Sequence, residues 1–101
     1  MTTNQVARVA KTKIQMDKVE AGRVLWERQV IPAMKAAAGF RHVYVLGDDK
    51  SGTVMTLSLW DSEAHADAWE KCEAHNSLRH HLGGYVASLP TTETYQVKIE
   101  A

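Results

Sequence analysis

The residues of this sequence whose types and spacing could do chemistry begin with one predicted helix. His75 lies three residues after Cys72 and six after Trp69. Because an imidazole titrates near neutral pH, His75 could act as a base or a ligand in a pocket. The alternative is a core histidine whose two ring nitrogens are hydrogen-bonded to neighbouring groups. Arg79 returns to nearly the same helix face as Trp69, where it either holds an anionic oxygen or forms a solvated ion pair.

A second group of candidates lies on a predicted hairpin. His42 and Tyr44 share one strand face, and Trp60 ends the partner strand. That face either lines a cavity under the helices or forms an interface between two copies, and a one-residue register shift would exchange these outcomes. Trp60 and Trp69 are equally open, since aromatic residues at such spacing serve as core or as the flat wall of a ligand site.

Other chemistries find no support in the sequence. No two histidines are four residues apart, and Cys72 with His75 has no evident third ligand, so we expect no metal site. His80 and His81 suit the C-terminus of a helix as cations. No serine lies in a strand-turn-helix elbow, and the Gly-Gly pair at 83–84 lacks a phosphate-loop pattern.

Four strands are predicted to position these residues. Alternating patterns place them at Val6–Ile14, Phe40–Gly47, Thr53–Trp60 and Thr94–Glu100. The middle two form a hairpin around a turn at 48–52, with Phe40 predicted on the face that carries His42 and Tyr44. Both hairpin faces carry apolar side chains. Helices can cover one face, so we expect a partner to cover the other.

The first predicted helix follows the first strand. Asp17 and Glu20 form a capping-box pattern at its start, and Gly39 is the expected C-cap. Pro32 predicts a kink or a break. Its apolar stripe is Val19, Gly22, Trp26, Val30, Ala33 and Ala37.

The second predicted helix follows the hairpin. It starts at a cap from Asp61 or Ser62 and runs unbroken to about Leu82. Trp69 is predicted beside its apolar stripe. That stripe is Ala64, Ala68, Cys72, His75, Leu78 and Leu82.

Length and composition bound the function classes. The chain of 101 residues is expected to form one domain, over 1–101, and its twelve basic residues balance twelve acidic ones. Without a basic excess we expect no nucleic-acid partner, and without a long apolar run we expect neither a membrane segment nor a secretory signal. The single cysteine suits a reducing, cytoplasmic setting.

The order of the predicted elements defines a fold class. Strand, helix, hairpin, helix and strand give βαββαβ, an α+β ferredoxin-like arrangement with a four-stranded antiparallel sheet and helices on one face. The other sheet face is then bare and apolar, so we expect two copies to pair through their sheets as a homodimer.

Several motifs along the chain match one known family. They are Gly39-Phe40 opening the second strand, Thr53–Trp60 closing the hairpin, Trp60-Asp61-Ser62-Glu63-Ala64 after it, and Ala68-Trp69. With them, essentially the whole chain resembles the antibiotic biosynthesis monooxygenase family of the dimeric α/β-barrel superfamily. The resemblance implies a dimeric α/β barrel with a ligand cavity between sheet and helices. It also implies oxidation of a polycyclic phenolic molecule by O2 without metal or flavin.

The resemblance implies roles for the candidates. Tyr44, Trp60 and Trp69, with Cys72, would bind the small aromatic molecule, His75 or His42 would take its phenolic proton, and Arg79 would stabilise the oxyanion. Two alternatives stay open, a haem-binding or haem-degrading protein and a non-catalytic ligand-binding or structural dimer.

The haem-degrading branch of the superfamily uses three residues. They are an Asn in the first strand, a Trp in the second helix and an iron-ligating His about ten positions later. Trp69 matches the Trp, whereas Arg79 stands ten positions on, with His80 next to it and His75 before it. The stretch 9–12 contains no Asn.

Overall fold

Four antiparallel strands form one sheet in the computed structural model, which describes residues 5–84 and 91–101, apart from the side chains at 78, 79, 81 and 82. The strands are β1 (Val6–Lys13), β2 (Phe40–Asp48), β3 (Thr53–Trp60) and β4 (Thr91–Gln96). Their spatial order is β2-β3-β1-β4. The ferredoxin-like arrangement predicted from the sequence is confirmed.

The last strand differs from its prediction. β4 begins three residues earlier than expected and ends at Gln96, because it pairs with β1 from Lys11–Thr91 to Val6–Gln96. Pairing with the neighbour, and not the alternation of side chains, therefore sets its bounds. Ile99 lies beyond the strand and is largely exposed. The predicted loop around Pro90 falls outside the described residues.

The first helical region is continuous but irregular. A 3-10 turn (Met16–Lys18) leads into α1 (Val19–Leu25), a π-helical turn (Trp26–Val30) and α2 (Ile31–Lys35). Helical backbone continues through Pro32, so of the two predicted outcomes, a kink or a break, the break is wrong. A proline cannot donate a backbone hydrogen bond and collides with the preceding turn. The widened π turn, closed by the Ile31 N–H on the Trp26 carbonyl, comes directly before it.

The predicted capping box is also wrong. Lys18 occupies the N-cap of α1, and no side chain caps it. Glu20 instead forms an ion pair with Arg23, which also pairs with Glu27. The 3-10 turn, which contains Asp17, leads into the helix without a side-chain cap.

The second helical region is two helices. They are α3 (Glu63–Lys71) and α4 (Glu73–Leu82), separated at Cys72, whose backbone is extended (φ −74°, ψ 155°). The predicted unbroken helix is therefore wrong, although Ser62 caps α3 as expected by accepting the His65 N–H. The buried residues of α3 are Ala66 and Trp69, whereas the predicted stripe residues Ala64 and Ala68 are exposed.

The core lies between the helices and one face of the sheet. Its fully or nearly buried members are Val6, Val30, Met34, Trp60, Ala66 and Trp69. Most of the predicted stripe of the first helix packs here, since Val30 is buried and Trp26, Ala33 and Ala37 lie against the core. Among the described residues, no helix is long and apolar enough to cross a membrane.

A bulge and a glycine fit β2 to this core. Arg41 is an extra residue in the β2–β3 register, since Phe40 pairs with Trp60 and His42 with Leu59. The bulge moves Phe40 to the helix-covered face, away from His42, so its predicted face is wrong. Just before it, Gly39 has a positive φ of 80°, and a Cβ there would collide with the His65 ring. Only glycine suits that position.

Candidate functional site

Aromatic rings form a continuous cluster on the helix-covered face. Trp60 and Trp69 stack with centroids 6.1 Å apart, and His75 stands edge-on to Trp69 at 5.2 Å. Phe40 packs edge-on against Trp60 at 5.7 Å. Trp60 is fully buried, whereas His75 is half-buried at the end of the run. The cluster thus leads from the core toward the surface and ends on a histidine.

A polar chain anchors the buried end of the cluster. Trp60 Nε1 donates to Ser58 Oγ (3.0 Å), and Ser58 Oγ donates to the Arg8 carbonyl (3.4 Å). Buried indole N–H groups need such an acceptor, because an unpaired donor in the core is costly. Ser58 therefore fixes the plane on which Trp69 stacks.

The α3–α4 junction determines how His75 is presented. The His75 backbone N–H donates to Cys72 Sγ (3.4 Å), and His75 Nδ1 lies 3.1 Å from the Glu70 carbonyl oxygen. The last carbonyls of a helix lack intrahelical donors. His75 thus caps the end of α3 with its ring, while Cys72 caps the start of α4 with its sulfur.

This cap fixes the tautomer of His75. A carbonyl oxygen only accepts, so Nδ1 must carry the proton that it donates to Glu70. In the neutral ring, Nε2 is then the basic nitrogen. The junction therefore presents an imidazole whose proton-accepting atom is Nε2.

A cluster of one buried arginine and two partly exposed carboxylates lies on the same side of the sheet. The Arg8 guanidinium holds Asp67 at 2.7 Å and Glu70 at 2.7 Å, both on α3. The Arg8 side chain is only 9% exposed, and its Nε has no acceptor among the described residues. Burial alone would lower the pKa of Arg8, but the hydrogen bonds and charges of the two carboxylates outweigh it and raise that pKa. The strand is thus bonded to α3 through a charged arginine.

The hairpin candidates lie on the opposite face of the sheet. His42 and Tyr44 contact each other edge-on at 4.6 Å, and both are exposed. Their strand positions alternate with Val43, which packs against the core. The structure therefore brings Trp60, Trp69, Cys72 and His75 together and leaves His42 and Tyr44 on the far side.

Three further sequence candidates lie on α4 or directly before it. Arg79 lies in α4, but its side chain is outside the described part of the structure. His80 is exposed on the same helix. Cys72 is half-buried against the core. Among the described side chains, no three His, Cys, Asp or Glu residues are grouped as a metal site would require.

Sequence reasoning missed four polar residues that organise this face, which are Arg8, its partners Asp67 and Glu70, and His65. Arg8 lies two residues after Val6 and therefore on the same face of β1, so its position predicts an inward side chain, but arginine is normally exposed. The signal that could have found its partners is the spacing of Asp67 and Glu70, which places two carboxylates on one helix face. His65 Nδ1 lies 2.7 Å from Ser62 Oγ, behind Gly39.

A comparison with known protein families agrees with the observed fold. The family model described as antibiotic biosynthesis monooxygenase matches residues 5–80. This range contains β1 to β3, all of α3 and most of α4, and therefore the whole aromatic cluster. Among curated protein sequences, none is detectably similar to this chain.

Solved structures share the architecture at low sequence identity. A protein of Mycobacterium tuberculosis superposes with a TM-score of 0.80 at 18% identity, covering 96% of this chain and 98% of its own. A Caulobacter crescentus protein named for the antibiotic biosynthesis monooxygenases gives 0.84 at 15% identity, covering 98% and 93%. A Shewanella oneidensis protein gives 0.81 at 22% identity, covering 97% and 95%. Identities this low establish the shared fold alone.

Proposed function

Because the chain belongs to the antibiotic biosynthesis monooxygenase family, we propose that it oxidises a small phenolic aromatic molecule with O2, without metal or flavin. The observation that carries the proposal is the run of Trp60, Trp69 and His75 on the helix-covered face. It joins a flat aromatic surface to a base whose tautomer is fixed. Both are what the oxidation of a phenol requires of a protein.

The ligand is proposed to bind against Trp69 and His75. Trp60 is fully buried, so it supports Trp69 from behind. Trp69 is itself only 8% exposed, so the planar molecule is proposed to make its contact chiefly at the half-buried ring of His75, which ends the cluster. Arg79 is proposed, from its sequence position alone, to stabilise the oxyanion that forms.

His75 is proposed to start the reaction as a general base. Its Nε2 takes the phenolic proton, which leaves an electron-rich anion, and the anion passes one electron to O2. Recombination of the two radicals forms a C–O bond, and the peroxide anion takes the proton back from His75 Nε2 to give a hydroperoxide. With an anthrone, the resulting hydroperoxide loses water as its O–O bond breaks, so one oxygen atom ends in the new carbonyl and the other in water.

The bare face of the sheet is proposed to bind a second copy of this chain. Leu57 and Leu59 lie on this face, flanked by the exposed rings of Tyr44 and Tyr95. Apolar sheet faces of this kind are covered in stable proteins. Pairing two such faces would give the homodimeric barrel that the resemblance implies, with His42 and Tyr44 in the interface.

The proposal is tested by O2 consumption. The wild-type protein, freed of metal by chelation, is mixed with a panel of anthrones and hydroquinones while dissolved O2 and product are measured. We expect one O2 consumed for each anthrone oxidised to the anthraquinone. The absence of turnover across the panel contradicts the proposal, and a Soret shift on adding hemin, lost in His75→Ala, would favour the haem alternative.

A further inference from the structure

We propose that Arg8 is a positioning residue that fixes the tautomer of His75 by holding Glu70 in place. This inference rests on the proposed role of His75 in proton transfer. Arg8 lies on β1, and nothing in the family resemblance assigns it a part in the chemistry. Its guanidinium and its backbone carbonyl are each connected to the aromatic cluster, by separate sets of hydrogen bonds.

The first route passes through the guanidinium. Arg8 Nη1 lies 2.7 Å from Glu70 Oε2, and the backbone carbonyl of the same glutamate accepts from His75 Nδ1. Glu70 therefore links the arginine to the imidazole, through an ion pair at its carboxylate and a hydrogen bond at its backbone carbonyl. Because Glu70 lies in the last turn of α3, where helices fray most easily, the ion pair restrains the carbonyl that His75 needs.

The second route passes through the backbone of Arg8. Its carbonyl accepts from Ser58 Oγ, which in turn accepts from Trp60 Nε1. Trp60 stacks on Trp69, and Trp69 contacts His75 edge-on. Thus the strand that carries Arg8 also restrains the other side of the imidazole.

The second carboxylate makes this restraint stiff. Asp67 lies one turn before Glu70 and binds Arg8 Nη2 at 2.7 Å. A single arginine that holds two carboxylates on one helix face fixes both the rotation and the height of α3 over the sheet. A lysine, with one compact charge, could not hold both in the same way.

Loss of this anchor has a defined consequence for His75. Without a fixed Glu70 carbonyl, Nδ1 loses the acceptor that holds its proton, which favours exchange of that proton between Nδ1 and Nε2 in the neutral ring. In the Nε2–H form the proton-accepting atom points back toward α3 and away from the proposed ligand. Catalysis would then fall through kcat, while the aromatic surface that sets KM stays in place.

The test is the tautomer of His75 in the substrate-free protein. Ring-15N histidine is incorporated, and two-bond proton–nitrogen correlations are recorded above the imidazole titration, with His75 assigned from its loss in His75→Gln. We expect the Nδ1–H pattern in the wild type and a shift to a mixture of tautomers in Arg8→Met and in Glu70→Ala. Should Arg8→Met fail to fold, Glu70→Ala decides.

The matched control is Arg23→Met. Arg23 also bridges two carboxylates, Glu20 and Glu27, but on the exposed side of one helix. Its loss is expected to leave the His75 pattern unchanged. A wild-type Nδ1–H pattern in folded Arg8→Met and in Glu70→Ala would overturn the inference. Since no substrate is present, this result stands independently of whether the protein consumes O2.

Discussion

The two faces of this sheet carry similar apolar alternation yet differ in how their aromatic residues are held. On the helix-covered face, Trp60 has no exposed surface and leads through Trp69 to His75. On the bare face, Tyr44 is 51% exposed and contacts the ring of His42. An aromatic ring and a histidine occur on both faces, so residue type alone does not identify a site. What distinguishes the faces is the helical layer, which fixes one histidine through its hydrogen bonds.

The largest contrast is expected at Trp60. Replacing it by alanine removes a fully buried ring together with its stacking on Trp69, so Trp60→Ala should lower the free energy of unfolding by about 3–5 kcal/mol. Tyr44→Ala, on the bare face, should change the stability of the monomer by less than about 1 kcal/mol. Urea unfolding of each variant at low protein concentration measures both values. Equal losses in the two variants would show that the faces do not differ as described.

The next contrast concerns association. Leu57 is half-buried on the bare face, opposite Val9 and Tyr44 in the register. Leu57→Asp places a charge in the proposed interface, and we expect it to weaken the homodimer by at least about 30-fold. Sedimentation equilibrium measures the dissociation constant.

The control for charge is Asn76→Asp, on the exposed surface of α4. It adds the same negative charge without touching the bare face, and the dimer should persist. A wild-type protein that stays monomeric at high concentration, or a Leu57→Asp variant that dimerises normally, would remove the bare face from the account.

The smallest effect tests the helical layer, which covers one face of the sheet and leaves the other bare. Ser62 caps α3 by accepting the His65 N–H, so Ser62→Ala should cost about 1 kcal/mol of stability. Asp17, which the sequence also suggests as a cap, caps nothing in the structure, and Asp17→Ala should leave stability unchanged. Thermal and urea unfolding compare the two. A larger loss for Asp17→Ala than for Ser62→Ala would contradict the observed helix starts.

The sequence predicts the strands well because their side chains obey a simple period. β3 has the predicted bounds, Thr53–Trp60, and its side chains alternate between the two faces, since Trp60 faces the helices and Leu57 does not. The order of elements follows from turn and cap signals, and with it the ferredoxin-like fold. These features depend on local chemistry that each segment carries within itself.

The site was harder to predict because it depends on contacts between segments. The helix break at Cys72 has no glycine or proline to signal it, and it exists because His75 and Cys72 cap the two helix ends. The bulge at Arg41 reverses the face of Phe40 in a way that alternation cannot reveal. Arg8 becomes a buried anchor only when α3 brings two carboxylates to it.

The central claim, that the helix-covered face carries the reaction, is tested most directly by the rate of O2 consumption in two histidine variants. His75→Gln and His42→Gln are compared at saturating anthrone, each checked for folding by circular dichroism. The account predicts that His75→Gln loses at least about 100-fold in kcat, as expected for a missing general base, and that His42→Gln loses far less. A greater loss in His42→Gln than in His75→Gln would contradict the account and place the reaction on the bare face.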